Sequence, residues 1–171
     1  MSIASKAQAL LFDVNRPGNM IRDLWDKLGG LPGGGALFTG LIGQAAPYTG
    51  TIKARVLELR EGYARVGMDD RRGVRNHLRS VHAIALVNLA ELTGNVALAY
   101  SLPDDARFIV AGLQIDYLKK ARGPLVAHSR CPVPATSESR NYDVPVTIED
   151  ASGEVVARAT LNTLVGPKRR D

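Results

Sequence analysis

The chain has 171 residues, 45% of them hydrophobic and 23% charged, a balance that excludes a disordered tail or a fibrous repeat and fits one globular domain able to bury a core without metal or disulfide. Its net charge of +5, from 22 basic against 17 acidic side chains, permits an anionic partner, but nine aromatic residues (3 Phe, 1 Trp, 5 Tyr) are too few for a base-stacking platform, so no nucleic-acid partner is expected. A single cysteine, Cys131, makes no internal disulfide and no metal or redox pair, so the expectation is a reducing, cytoplasmic compartment and no metal site.

From the N-terminus, Met1 to Phe12 carries one lysine and a short apolar patch, too little for a signal sequence, and residues 1–16 read as an arm. Ile21, Leu24, Trp25 and Leu28 recur at helical spacing, with Asn19 as N-cap and Gly29 as stop, which predicts an amphipathic helix. The run Gly29 to Gly35, five glycines out of seven residues being Gly29, Gly30, Gly33, Gly34 and Gly35, reads as a linker; no Gly-Lys-Ser/Thr follows it, so it is not a phosphate loop. Thr51 to Leu59 and Tyr63 to Met68, separated by Arg60-Glu61-Gly62, predict a β-hairpin.

Val81 to Tyr100 is the most apolar stretch, but Glu91 at its centre, with Asn88 and Asn95 nearby, argues against a membrane span and for a buried helix. Beyond it, Phe108 to Lys119 is expected to present Ile109, Ala111, Leu113, Ile115 and Tyr117 on one face of a strand. Strands over Leu125–Val133, Tyr142–Glu149 and Glu154–Val165 follow, the last two joined at Asp150-Ala151-Ser152-Gly153. The fold class is therefore α+β, an antiparallel sheet wrapped around a long central helix.

Asn88, Glu91 and Asn95 stand three and four residues apart, so they share one stripe of that helix. A carboxylate there is either a structural partner of an upstream arginine or a general base or nucleophile in a pocket. The preceding segment, Asp69 to Ser80, holds Arg71, Arg72, Arg75, Arg79 and His77 and leads into the helix N-terminus, where free N–H groups favour anions. These arginines, with Lys119, Lys120 and Arg122, are either receivers of phosphate groups or a solubilising rim.

Asn76, His82 six residues later, and Leu89-Ala90-Glu91 ending nine residues after His82 resemble the signature of hotdog-fold acyl-CoA thioesterases of the phenylacetyl-CoA thioesterase type. In that signature an Asn precedes His-Gly-Gly, and Leu-Ala-Asp follows on the central helix. Gln114-Ile115-Asp116-Tyr117-Leu118-Lys119-Lys120-Ala121 is similar to the strand that follows in those proteins, and the likeness covers about the last two thirds of the chain. The resemblance implies a hotdog domain over 49–167, preceded by an arm, helix and linker over 1–48 and followed by a basic tail over 168–171. It further implies a homodimer or dimer of dimers, with the helix acid of one subunit facing the Asn-His loop of the other. By that carry-over, Glu91 activates water or attacks the thioester, Asn76 positions the nucleophile, and His82 completes the catalytic set. The N–H groups near Ala83 polarise the thioester oxygen, and Asn88, Arg75, Arg79 and Tyr117 bind substrate. The partner implied is an acyl-CoA or acyl-carrier thioester, with no cofactor beyond the CoA of the substrate.

The sequence departs from the pattern in two places: His-Gly-Gly is His82-Ala83-Ile84, and the acid is Glu91 rather than Asp. Two other functions fit the same residues. His77, fourteen residues before Glu91, resembles the pairing of hotdog 3-hydroxyacyl dehydratases, and the lost glycines suit a non-catalytic acyl-binding protein in which Glu91 is a polar anchor.

Overall fold

The computed structural model describes residues 15–169. Helices α1 (Met20–Leu28), α2 (Gly34–Ala45) and α3 (Pro47–Gly50) precede strands β1 (Arg55–Arg60) and β2 (Tyr63–Met68), the long helix α4 (Ala83–Ser101), and strands β3 (Ala106–Tyr117), β4 (Leu125–Arg130), β5 (Arg140–Glu149) and β6 (Val155–Pro167). The strands form one antiparallel sheet in the order β1-β2-β4-β5-β6-β3, wrapped around α4 as in hotdog proteins.

The hairpins form where turn chemistry requires them. Gly62 takes φ +69° between β1 and β2, and Gly153 takes φ +81° between β5 and β6. In the second turn the Asp150 carboxylate accepts from the Ser152 N–H (2.9 Å) and the Glu154 N–H (3.1 Å).

The apolar run of α4 seats on the inner face of the sheet. Leu86, Leu89, Val96 and Leu98 pack with Val66, Val144, Val146, Ile148 and Leu161 in one buried core. Each such side chain contributes about 1.5–3 kcal/mol on leaving water, so the helix is held chiefly by this face. Among the described residues α4 is the helix long and apolar enough to cross a membrane, and it is the core of the sheet.

Asn19 caps two helices at once. Its Oδ1 accepts from the Arg22 N–H (3.0 Å) at the start of α1, and its Nδ2 donates to the carbonyls of Ala99 (2.7 Å) and Leu102 (3.0 Å) at the end of α4. Trp25 meets Phe38 edge to face, 5.2 Å between centroids, which fixes α1 against α2.

The glycine run is not a linker to its end, because Gly34 and Gly35 open α2. A Cβ on Gly34 would run into the Leu28 carbonyl, and one on Gly35 into the Val56 carbonyl, so glycine here permits close approach rather than freedom. Thr39 completes the seam: its Oγ1 donates to the Gly35 carbonyl (2.6 Å) and accepts from the Val56 N–H (2.9 Å), so α2 lies against the outermost strand β1.

One further expectation is corrected. The pairing of β3 with β6 shifts between Val110 and Gly112, so Phe108 and Val110 share the inner face with Leu113 and Ile115, whereas Ile109 points outward and is 65% exposed. The basic tail is anchored at its start: the Lys168 N–H donates to the Asp105 carbonyl (2.8 Å), and Lys168 Nζ donates to the carbonyls of Arg16 and Gly18 (2.6 Å each). Residues 1–14, 170 and 171, including most of the expected arm, lie outside the described residues.

Candidate active site

The segment between β2 and α4 is a braced loop. Asp70, its side chain 7% exposed, accepts from Arg75 Nε (2.6 Å) and from the Gly123 N–H (2.9 Å). The Arg75 hydrogen bond holds the Asp70 carboxyl below the usual carboxylate range against the opposing pull of burial, and the Gly123 N–H adds to the lowering. Arg71 donates to the Thr51 carbonyl, tying the loop to the end of α3. The Val81 N–H donates to the Ala121 carbonyl (2.8 Å) and the His82 N–H to the Val74 carbonyl (2.7 Å), which fixes the approach to α4.

Asn76 turns its side chain onto this loop. Its Oδ1 accepts from the N–H groups of Leu78 (2.9 Å) and Ser80 (3.3 Å) and from Ser80 Oγ (3.2 Å), closing a tight bend in which Arg79 takes φ +57°. His82 is the N-cap of α4, its Nδ1 accepting from the Ile84 N–H at 3.1 Å, which assigns the neutral ring's proton to Nε2. The Ala83 N–H has no acceptor among the described residues, so the first turn of α4 presents one unpaired donor. Tyr117, at the end of β3, reaches the same turn and donates its hydroxyl to the Ala83 carbonyl (3.4 Å); desolvation pushes its phenol up.

A cleft of about 370 Å³ lies beside this turn, lined in part by Tyr48, Ile52, Arg75, His82, Ala85 and Asn88. The structure thus brings together His82, Arg75 and Asn88, with Ala83 and Tyr117 at the same helix end. Asn88 is buried and donates its Nδ2 to the Tyr48 carbonyl (3.0 Å), so part of its hydrogen-bonding capacity holds α3 in place. Arg75 is committed to Asp70, whereas Arg72 and Arg79 form no ion pair among the described residues, and Lys119 pairs with Glu154.

Glu91 lies one turn beyond Asn88 on the outer stripe of α4, half-buried between Val87 and Asn95. No hydrogen bond or ion pair to it forms among the described residues, so the pairing with an upstream arginine does not occur. Asn95, one turn further, lines a separate apolar cavity, and its buried Oδ1 has no hydrogen-bond partner among the described residues. The sequence reading missed Tyr48, Thr51 and Ile52 as cleft walls. The signal was Pro47, which opens α3 at the first helical position and brings Tyr48 against Asn88.

The family described as "Domain of unknown function (DUF4442)" matches residues 34–165. The crystal structure of genomics APC5556 is 35% identical, with TM-score 0.75 over 86% of this chain and 98% of that one. A protein of unknown function from Pseudomonas aeruginosa, PA5026, described as a probable thioesterase, is 24% identical, with TM-score 0.69 over 80% and 97% of the two chains. The Streptococcus mutans protein smu.793, solved bound to acetyl CoA, is 20% identical, with TM-score 0.57 over 67% and 90%. No curated protein matches the sequence. The resemblance to hotdog thioesterases therefore holds at the level of the fold, and the chain's structural neighbours include proteins named as thioesterases.

Proposed function

The chain belongs to the DUF4442 family, and from that premise and the outer stripe of α4 we propose that it is an acyl-CoA thioesterase in which Glu91 is the base or nucleophile. The observation that carries this reading is Glu91 itself: a half-buried carboxylate with no partner among the described residues, on a helix whose neighbouring turns carry Asn88 and an unpaired N–H at Ala83. A partly exposed carboxylate that pairs with nothing among the described residues holds no part of the fold together, and a role in chemistry accounts for its presence where a structural one does not. The neighbour that holds acetyl CoA supports a CoA thioester as the substrate.

In the reaction, Glu91 takes a proton from water as the water oxygen bonds to the thioester carbonyl carbon. The Ala83 N–H donates to the carbonyl oxygen as charge develops there, and the C–S bond then breaks as Glu91 returns its proton to the departing thiolate, releasing the thiol and the acid. If Glu91 instead attacks directly, water hydrolyses the resulting anhydride. Positioned acid–base groups contribute about 10²–10⁴ in rate, and an oxyanion donor about 10²–10³.

One helix cannot supply both groups to one carbonyl. Ala83 and Glu91 are eight residues apart, about 12 Å along α4 at 1.5 Å per residue, whereas both must stand about 3 Å from the reacting atoms. The reading therefore requires a homodimer in which Glu91 of one protomer faces the Ala83 turn of its partner. Arg72 and Arg79, on the loop that leads into α4 and without an ion pair among the described residues, suit the CoA phosphates.

Free-thiol detection across short, medium, long and aryl acyl-CoA substrates, beside thermal melts and light scattering, tests this on wild type and Glu91→Gln. The expected result is a dimer mass, a fall in hydrolysis of about 10² or more, and an unchanged melt, because the carboxylate has no partner to lose. Wild-type turnover no faster than the Gln variant, with saturable acyl-CoA binding retained, would overturn the enzyme reading in favour of a non-catalytic acyl binder.

A further inference from the structure

The second cavity lies at the other end of α4 and is built largely by the helices that precede the sheet. It has about 410 Å³, within the range of small-molecule sites. Its walls are apolar, among them Ile21, Ile42, Ala45, Leu92, Val96 and Phe108. Met20 and Ile21 come from α1, and Ile42 and Ala45 from α2, so α1 and α2 roof the C-terminal half of α4.

One end of this cavity is cationic. Arg16, Arg107 and Lys168 line it together, Lys168 Nζ bridging to the Arg16 carbonyl (2.6 Å) and Arg107 Nε donating to the Pro167 carbonyl (3.2 Å). Arg16 and Arg107 form no ion pair among the described residues. No Asp or Glu is among the described residues that line the cavity. The two acids just before Arg107 are engaged elsewhere: Asp104 pairs with Arg22, and Asp105 accepts from Ser137 Oγ (2.7 Å).

An apolar chamber with Arg16, Arg107 and Lys168 among its lining residues matches a ligand with a hydrocarbon body and a single anionic end. A neutral hydrocarbon leaves the cations unused, and a hydrophilic anion leaves the walls unused. We propose that this cavity is a second binding site, for an aliphatic monocarboxylate, with the chain between α1, α2 and α4 and the carboxylate at Arg16 and Arg107. It is separate from the cleft at His82 and Asn88: the two share no lining residue, and α3 lies between them with Thr49 on one side and Tyr48 on the other.

The test is calorimetric titration of the full chain with dodecanoate, its uncharged analogue dodecanol, and the non-hydrolysable thioether dodecyl-CoA, on wild type, Arg107→Gln and Ala45→Phe. Ala45 is exposed on the cavity wall, so a ring there fills open space without displacing the core; melts of both variants check the fold. The expected result is saturable dodecanoate binding, weakened about tenfold by Arg107→Gln while dodecanol binding stays the same, since one charge-assisted hydrogen bond is lost. Ala45→Phe should weaken both ligands, and Arg107→Gln should leave thioester hydrolysis unchanged. Absence of saturable binding, an Arg107→Gln variant that binds dodecanoate as well as wild type, or competition between dodecyl-CoA and dodecanoate for one site would each overturn the proposal. These readouts do not depend on whether Glu91 is catalytic, so the two readings fail separately.

Discussion

Gly94 is a point of close approach between α4 and the sheet, and Gly94→Ala measures how tightly the site-bearing helix is seated. A Cβ there would stand 2.9 Å from Leu161 Cδ2 and 3.2 Å from both Leu161 Cδ1 and Val144 Cγ1, and both of those side chains are fully buried. Overpacking of this kind costs about 1–3 kcal/mol, whereas the gain in helix propensity from Gly to Ala is about 1 kcal/mol. The net expectation is a loss of about 0–2 kcal/mol, or a fall in Tm of up to several degrees at about 2–4 °C per kcal/mol for a chain of this size. Gly40→Ala in α2 is the control, since nothing lies within 4 Å of a Cβ added there, and it should stabilise by about 0.4–1 kcal/mol. Because Glu91 stands less than one turn before Gly94, any displacement of the helix should also lower kcat in Gly94→Ala and leave Gly40→Ala unaffected. Differential scanning calorimetry with thioester assays on both variants decides it. A Gly94→Ala protein that melts as high as Gly40→Ala would show that the seat has slack and that the reasoning from close packing is wrong.

Two more outcomes follow from the loop and the cap. The Asp70 carboxyl is lowered below its unfolded value, so its contribution is fully present above about pH 4 and is lost as the pH falls through the lower folded value; Asp70→Asn should flatten the acid limb of a stability–pH curve, and an unchanged limb would rule Asp70 out as its source. His82→Ala should lose about 1 kcal/mol with the Ile84 N–H left uncapped, and His82→Asn should restore it in urea melts, a failure of rescue counting against the capping role; hydrolysis that stays low in the restored variant would assign the ring a part in the chemistry as well.

Much of the fold was legible because each element carried its own periodicity and punctuation. Asn19 and Gly29 bounded α1 as expected, and the core run around Glu91 became α4. The failures share a cause: they occur where tertiary contact overrides local preference. Gly34 and Gly35 look like chain breakers, yet they open a helix because the Leu28 and Val56 carbonyls leave no room for a Cβ. Ile109 looks like a core residue by alternation, yet one bulge before Gly112 turns it outward, and a bulge has no signature in a single sequence. At the site, helical spacing alone placed Asn88, Glu91 and Asn95 on one stripe. The spacing could not show that Asn88 gives its Nδ2 to the Tyr48 carbonyl, that Arg75 is held by Asp70, or that Glu91 has no partner among the described residues, because the first depends on a segment 40 residues away and the second on how the loop before α4 folds back on itself.

The two ends of the sheet are treated unequally, and this bears on where the site is completed. At β1, α2 covers the outermost strand, and Thr39 takes up the Val56 N–H that the edge would otherwise expose. At the opposite end β3 runs for twelve residues with no neighbour on its outer side among the described residues, and Ile109 on it and Leu164 on the adjoining β6 are exposed. An edge that long, with apolar side chains beside it, invites pairing with another strand. Tyr117 at the end of that strand donates to the Ala83 carbonyl, so whatever pairs with β3 arrives beside the N-terminus of α4. Under the proposed reaction, the separation of Ala83 from Glu91 along one helix calls for a second copy, and the open edge of β3 offers unpaired backbone groups to which a second strand could bond. Both arguments bear on the Ala83 end of α4, the first through its unpaired N–H and the second through Tyr117.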